Sequence, residues 1–224
     1  LKSPHTVQLY DFGTTDEGRL YLVMELLEGI TLEHLVRAEG ALPAHRVVHI
    51  LRQVCESLEE AHDAGLIHRD IKPANIHLGQ VGRHADFVKV LDFGLVKSVG
   101  GANGEDSLAS VAGLAIGTPA YMAPEMVHGE GELDGRTDLY SLGCVAYYLL
   151  TGELVFAGET AIQTALLHVQ QPPVPPSERT GNPIPPELER LVLACLAKHP
   201  ADRPQSASDL GAALAAVNAP TAGG

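Results

Sequence analysis

Residues Thr6-Val7-Gln8-Leu9-Tyr10-Asp11-Phe12-Gly13 alternate apolar and polar side chains, the period of a half-buried strand over Thr6 to Phe12. A turn-rich stretch, Thr14 to Gly18, follows, and Leu20-Tyr21-Leu22-Val23-Met24 predicts a second strand antiparallel to the first. Past Gly29 the period changes. Leu32 to Arg37 suits a short helix capped by Thr31. Pro43 to Ala64 carries Val47, Ile50, Leu51, Val54, Leu58 and Ala61 at helical spacing and stops at Gly65. Short apolar runs at Ile76 to Leu78 and Val88 to Leu91 predict small strands among charged loops. Residues 98 to 116, rich in Gly, Ser and Ala, predict a mobile loop. Helices are expected again at Asp138 to Leu150, Thr160 to Val169, Pro186 to Ala197 and Ser206 to Val217, with a Pro-rich loop from Pro172 to Pro186 and a frayed end from Ala219. The pattern is a strand pair followed by a mostly helical body.

Composition narrows the class. With 224 residues, 45% apolar and 19% charged, the chain can bury a core without disulfides or metals. Those fractions exclude collagen, coiled coil and wholesale disorder. Twenty-eight acids against fifteen bases leave a net charge of −13, which argues against a nucleic-acid partner held through its phosphates. No apolar run reaches the ~18–20 residues of a membrane span, and no leader pattern opens the chain. Cys55, Cys144 and Cys195 lie far apart without CxxC spacing and read as buried reduced thiols of a cytoplasmic protein. His45 and His49 stand four apart on a helix, but no Glu between them completes a zinc-protease motif.

Three strings carry chemistry. His68-Arg69-Asp70-Ile71-Lys72-Pro73-Ala74-Asn75 follows the long helix; Asp92-Phe93-Gly94 comes next; Gly117-Thr118-Pro119-Ala120-Tyr121-Met122-Ala123-Pro124-Glu125 comes last. In this order they resemble the catalytic loop, the metal-binding motif and the end of the activation segment of eukaryotic-type serine/threonine protein kinases. The resemblance runs from Ser3 to about Val217, and Lys72-Pro73-Ala74-Asn75 and Arg203-Pro204-Gln205-Ser206-Ala207 resemble the bacterial members of the family. Phosphoryl transfer needs a hydroxyl aimed in line and phosphate charge neutralised, which is what these residue types can supply.

The resemblance implies roles residue by residue. Asp70 is the expected base, Lys72 the positive charge beside the transferring phosphoryl group, and Thr118 a shaper of the acceptor site that bonds near both. Asn75 and Asp92 offer hard oxygen ligands for Mg²⁺. Met24 falls at the gatekeeper position, backbone groups of Glu25 and Leu27 read the adenine edge with side chains nearly free to vary, and His77 forms the adenine floor. Arg69 is placed to grip a phosphorylated residue of the activation segment, with Ser98, Ser107 and Ser110 either acceptors or plain linker serines. Glu125 and Arg203 match a buried ion pair, and Asp138 a carboxylate that anchors the catalytic loop or simply caps its helix. Leu9, His68 and Phe93 stack in a hydrophobic spine, with Gly94 completing the metal motif.

The implied fold is α+β, the bilobal protein-kinase architecture: a truncated β-rich N-lobe over residues 1–27, a mostly helical C-lobe over 28–217 and a disordered tail over 218–224. The implied function is transfer of the ATP γ-phosphate, with Mg²⁺, to Ser or Thr hydroxyls of protein partners. Departures from the family pattern stand beside this. No Gly-rich loop precedes the first strand, no VAIK-like lysine is present, and the chain reads as a fragment expected to be weak or inactive alone. His77 replaces the usual apolar floor, and Ala74 removes one reason to expect arginine-rich substrates. The rival reading is a non-catalytic binding module on the same fold.

Overall fold

The computed structural model describes residues 1–93, 118–129 and 133–218. Strands β1 (Leu9–Thr14) and β2 (Leu20–Met24) form an antiparallel hairpin that pairs Leu9 with Met24 and Thr14 with Leu20. A second sheet has the order β3-β4-β5, from Ile30–Thr31, Ile76–Val81 and His84–Val90. Helices α1 (Leu32–Glu39) and α2 (Ala44–Asp63) lie between β3 and β4 in sequence. After them come α3 (Pro124–His128), α4 (Gly135–Thr151), α5 (Ala161–Gln170), α6 (Pro186–Cys195) and α7 (Ala207–Ala215).

The core sits between α2 and α4. On α2 the buried residues Val47, Ile50, Leu51, Val54 and Leu58 recur every three or four positions, so one stripe faces inward. Helix α4 is buried nearly all round, Leu139, Tyr140, Leu142, Val145, Tyr147 and Leu149 included, and α2 and α6 pack against it. Cys55, Cys144 and Cys195 are free thiols within this core, where burial pushes each above its ordinary pKa and keeps it protonated.

Several expectations need correction. The first strand begins at Leu9, because Thr6 instead makes a parallel bridge to Val90 of β5. Nor is the hairpin half-buried: Tyr10, Phe12 and Leu20 are each about 70% exposed, since no layer of the described residues packs on either face. Helix α4 starts three residues before Asp138 and is capped by Asp134, whose carboxylate accepts from Arg136 N–H. Strand β3 and helix α3, two and five residues long, are too short for any period to announce. The activation-segment serines Ser98, Ser107 and Ser110, the loop over 98–116, Gly94, Gly117 and the end from Ala219 lie outside the described residues.

Candidate active site

The loop between α2 and β4 is built around buried anchors. His68 is fully buried; its backbone N–H donates to Asp138 Oδ2 at 2.8 Å and its Nε2 to the Leu91 carbonyl at 2.7 Å. Burial holds its imidazole below the ordinary pKa, against the pull of the Asp138 charge, so the ring stays neutral. Arg69 N–H donates to Asp138 Oδ1 at 2.8 Å, which helps hold Arg69 at a φ of 64°, a conformation side-chain-bearing residues rarely adopt. The Arg69 side chain itself is exposed.

Asp70 follows this anchored pair, with one carboxylate oxygen engaged. Its Oδ2 accepts from Lys72 Nζ at 2.8 Å and from Asn75 Nδ2 at 3.0 Å, while Asn75 Nδ2 also donates to the Asp70 carbonyl at 2.9 Å. Oδ1 of Asp70 has no hydrogen-bond partner among the described residues, and the side chain is 29% exposed. Leu91 N–H donates to the Asn75 carbonyl at 2.9 Å, which sets Asp92 beside this loop at a φ of 55° with an exposed carboxylate. Phe93 lies against His68, ring centroids 4.7 Å apart. Asp70, Lys72, Asn75, Asp92 and Phe93 are thus gathered by one loop and one strand end.

The chain that makes these contacts is similar to known proteins. The sequence matches the family model of the protein kinase domain over residues 1–213. The chain belongs to the protein kinase domain family. It is 42% identical over 97% of its length to the serine/threonine-protein kinase pkn3 of Myxococcus xanthus, covering 40% of that protein. It is 41% identical, again over 97%, to the serine/threonine-protein kinase PknB of Mycolicibacterium smegmatis, covering 34%. The chain therefore spans two fifths or less of these curated relatives. Among solved structures it resembles Rad53 1–466 in complex with AMP-PNP (TM-score 0.75, 29% identity, 94% of this chain and 50% of that one). It also resembles the PknI kinase domain of Mycobacterium tuberculosis (TM-score 0.71, 29% identity, 96% and 73%). The fold is that of a kinase domain.

Other expected positions of the kinase domain divide. Glu125 and Arg203 form a two-bond fork, Nη1 to Oε1 at 2.7 Å and Nη2 to Oε2 at 2.8 Å, with the guanidinium fully buried. Burial alone pushes the Glu125 carboxyl up, but Arg203 and the Thr137 hydroxyl outweigh it and leave the pKa below its ordinary value. Thr118 is exposed, and among the described residues its hydroxyl bonds neither Asp70 nor Lys72, against expectation. Its carbonyl instead accepts from Tyr121 N–H as the Pro119–Tyr121 turn closes.

The nucleotide-facing set is split as well. Met24, Leu9, Asp92 and Phe93 line one cavity of about 220 Å³; Glu25, Leu27 and His77 line another of about 250 Å³. Consecutive residues of an extended chain face opposite ways, so Met24 and Glu25 part company. His77 is buried, and burial keeps its imidazole below the ordinary pKa against a backbone hydrogen bond with Gly29. The Glu25 side chain, expected to be free to vary, is held: its Oε1 accepts from Gln8 N–H at 2.8 Å and from Lys89 Nζ at 2.7 Å. Two participants had no sequence signal. His62 Nε2 donates to Asp138 Oδ2 at 2.8 Å, and Lys89 reaches Glu25 across 64 positions.

Proposed function

We propose that this chain is the catalytic domain of a serine/threonine protein kinase, which transfers the γ-phosphate of ATP to Ser or Thr hydroxyls of proteins in the cytoplasm. The observation that carries the reading is the divided carboxylate of Asp70. One oxygen is fixed by Lys72 and Asn75, and the other is open to accept a hydrogen bond from an incoming alcohol. Fixing one oxygen aims the other, and orientation of this kind supplies much of the rate in phosphoryl transfer. Lys72, at 22% side-chain exposure, has a free face from which its ammonium can also meet phosphate oxygens.

Asn75 and Asp92 would hold Mg²⁺. With Asn75 Nδ2 spent on Asp70, its Oδ1 remains as an oxygen donor beside the exposed Asp92 carboxylate. Among the described residues no group of three or more His, Cys, Asp or Glu forms a metal cage, which suits an ion that takes few protein ligands and completes its shell with phosphate and water. When bound, Mg²⁺ would neutralise phosphate charge. His77, kept neutral, offers a flat face for a purine. The anchoring of His68 and Arg69 by Asp138, and of the Pro119–Tyr121 region by Glu125 and Arg203, would keep the acceptor side in register. No helix among the described residues is long and apolar enough to cross a membrane.

The test is transfer of labelled γ-phosphate by the full-length protein that contains this chain, onto itself and onto a generic basic protein. Asp70→Asn is expected to lower the rate by roughly 10²–10⁴-fold without unfolding the domain. Wild-type protein that transfers nothing, or an Asp70→Asn variant as active as wild type, sinks the enzyme reading and leaves the binding module.

A further inference from the structure

The hairpin over residues 8–28 is loosely joined to the rest of the domain. Its apolar side chains are exposed on both faces, and its own hydrogen bonds are internal. Among the described residues, one side-chain contact ties it to the body by hydrogen bonding: Lys89 Nζ to Glu25 Oε1, 2.7 Å. The two side chains are 14% and 20% exposed, so the pair is shielded from water on most sides. Around it the geometry is closed. Glu25 N–H donates to the Gln8 carbonyl at 3.0 Å, Gln8 N–H returns to Glu25 Oε1 at 2.8 Å, and Lys89 Nζ also approaches the Thr6 carbonyl at 3.4 Å. Both ends of the hairpin are therefore gripped at one point.

Lys89 stands on β5, opposite His77 of β4 and three residues before Asp92. Any movement of Glu25 relative to Lys89 is a movement of the hairpin's exit segment relative to the strand that leads into Asp92. We propose that Lys89 is a positioning residue for the nucleotide, which acts through Glu25 to set the backbone of residues 25–27 against Asp92 and His77. This rests on the kinase reading and deepens it: the nucleotide's base and its phosphates would be held by parts of the chain that this one ion pair keeps in register. Burial opposes the charge on Glu25, yet Lys89 and Gln8 N–H together leave its pKa below the ordinary carboxylate value.

The experiment uses the full-length protein with Lys89→Met, Lys89→Arg, Glu25→Gln and the Lys89→Met/Glu25→Gln double variant. Steady-state KM for ATP and kcat are read separately, and ATP affinity is read directly by calorimetry. Lys89→Met is expected to raise KM and Kd for ATP roughly tenfold while kcat moves by less than about twofold. Lys89→Arg should restore most of the affinity, and the double variant should be no worse than Lys89→Met, because both single changes break the same link. A purely structural role would lower the thermal midpoint and the active fraction with KM unmoved, and that outcome overturns the proposal. So do additive effects in the double variant. Wild type that binds ATP but transfers no phosphate defeats the kinase reading alone, since Kd still reports on Lys89. Wild type that transfers phosphate with Lys89→Met indistinguishable from it defeats this inference alone; wild type that does not bind ATP defeats both.

Discussion

The carboxylate of Asp138 meets the backbone N–H of His68 at 2.8 Å, across 70 positions of chain, and takes the neighbouring Arg69 N–H on its other oxygen at 2.8 Å. Asp138 is fully buried in the first turn of α4, where the helix dipole favours negative charge. The pairing fixes a loop whose Arg69 would otherwise leave its left-handed conformation. Asp138→Ala strands two backbone donors and is expected to cost about 2–4 kcal/mol. Urea midpoints measure this loss, and phosphotransfer should fall further than stability does, because Asp70 follows directly. Asp138→Asn, which keeps an acceptor oxygen, should be milder on both counts.

Arg203 is enclosed by acceptors: both Glu125 oxygens, the Ala197, Lys198 and Arg136 carbonyls, and the Tyr140 ring 4.8 Å below its Cζ. Arg203→Met would leave the Glu125 charge shielded from water without its partner. The expected loss is about 3–5 kcal/mol, and Glu125→Gln in the same chain should return part of it. Equilibrium unfolding of the two single variants and the double closes the cycle.

Gly29 links residues 25–28 to β3 at a φ of 132°, and a Cβ there would lie 2.0 Å from the Leu78 carbonyl oxygen. Neither the conformation nor the space admits a side chain. Gly29→Ala is expected to destabilise by about 2 kcal/mol or more, by parting β3 from β4, and the thermal midpoint should fall accordingly. An unchanged midpoint would contradict the close approach of these two backbones.

Acid should weaken the domain before its carboxylates titrate. Burial, then the Lys198 ammonium, hold the His168 imidazole down at about 4, while an unfolded histidine titrates near about 6.5. Between these values the unfolded chain binds a proton that the folded one refuses, so stability falls as pH drops through this window and His168 adds nothing further below it. The His168 share of the loss between pH 7 and pH 5 is roughly 1–2 kcal/mol. His168→Gln removes that share, so its urea midpoint should fall less than wild type over the same interval.

Local patterns made much of this legible. Helix α2, the cap at Thr31, the helices that begin near Thr160 and Ser206, strand β2 and the catalytic strings follow from period, capping chemistry and residue order, each confined to a few neighbouring positions. The strings also named residues that the fold gathers: Asp70, Lys72, Asn75 and Asp92. Glu25 shows where such reading stops. Its side chain looked free because nothing within its own strand needs it, and Lys89, which holds it, is 64 positions away.

By itself, then, the sequence determined the helical body, the order of the kinase strings and the residue types available for phosphoryl transfer, since these depend on backbone preference and side-chain chemistry. Only the tertiary structure decided which partners those side chains meet. It set Asp138 under His68, turned Met24 and Glu25 into different cavities, left Thr118 without a hydrogen bond to Asp70 among the described residues and joined Lys89 to the hairpin. Contacts between residues far apart in the chain are fixed by how helices and strands pack, and no local period records that.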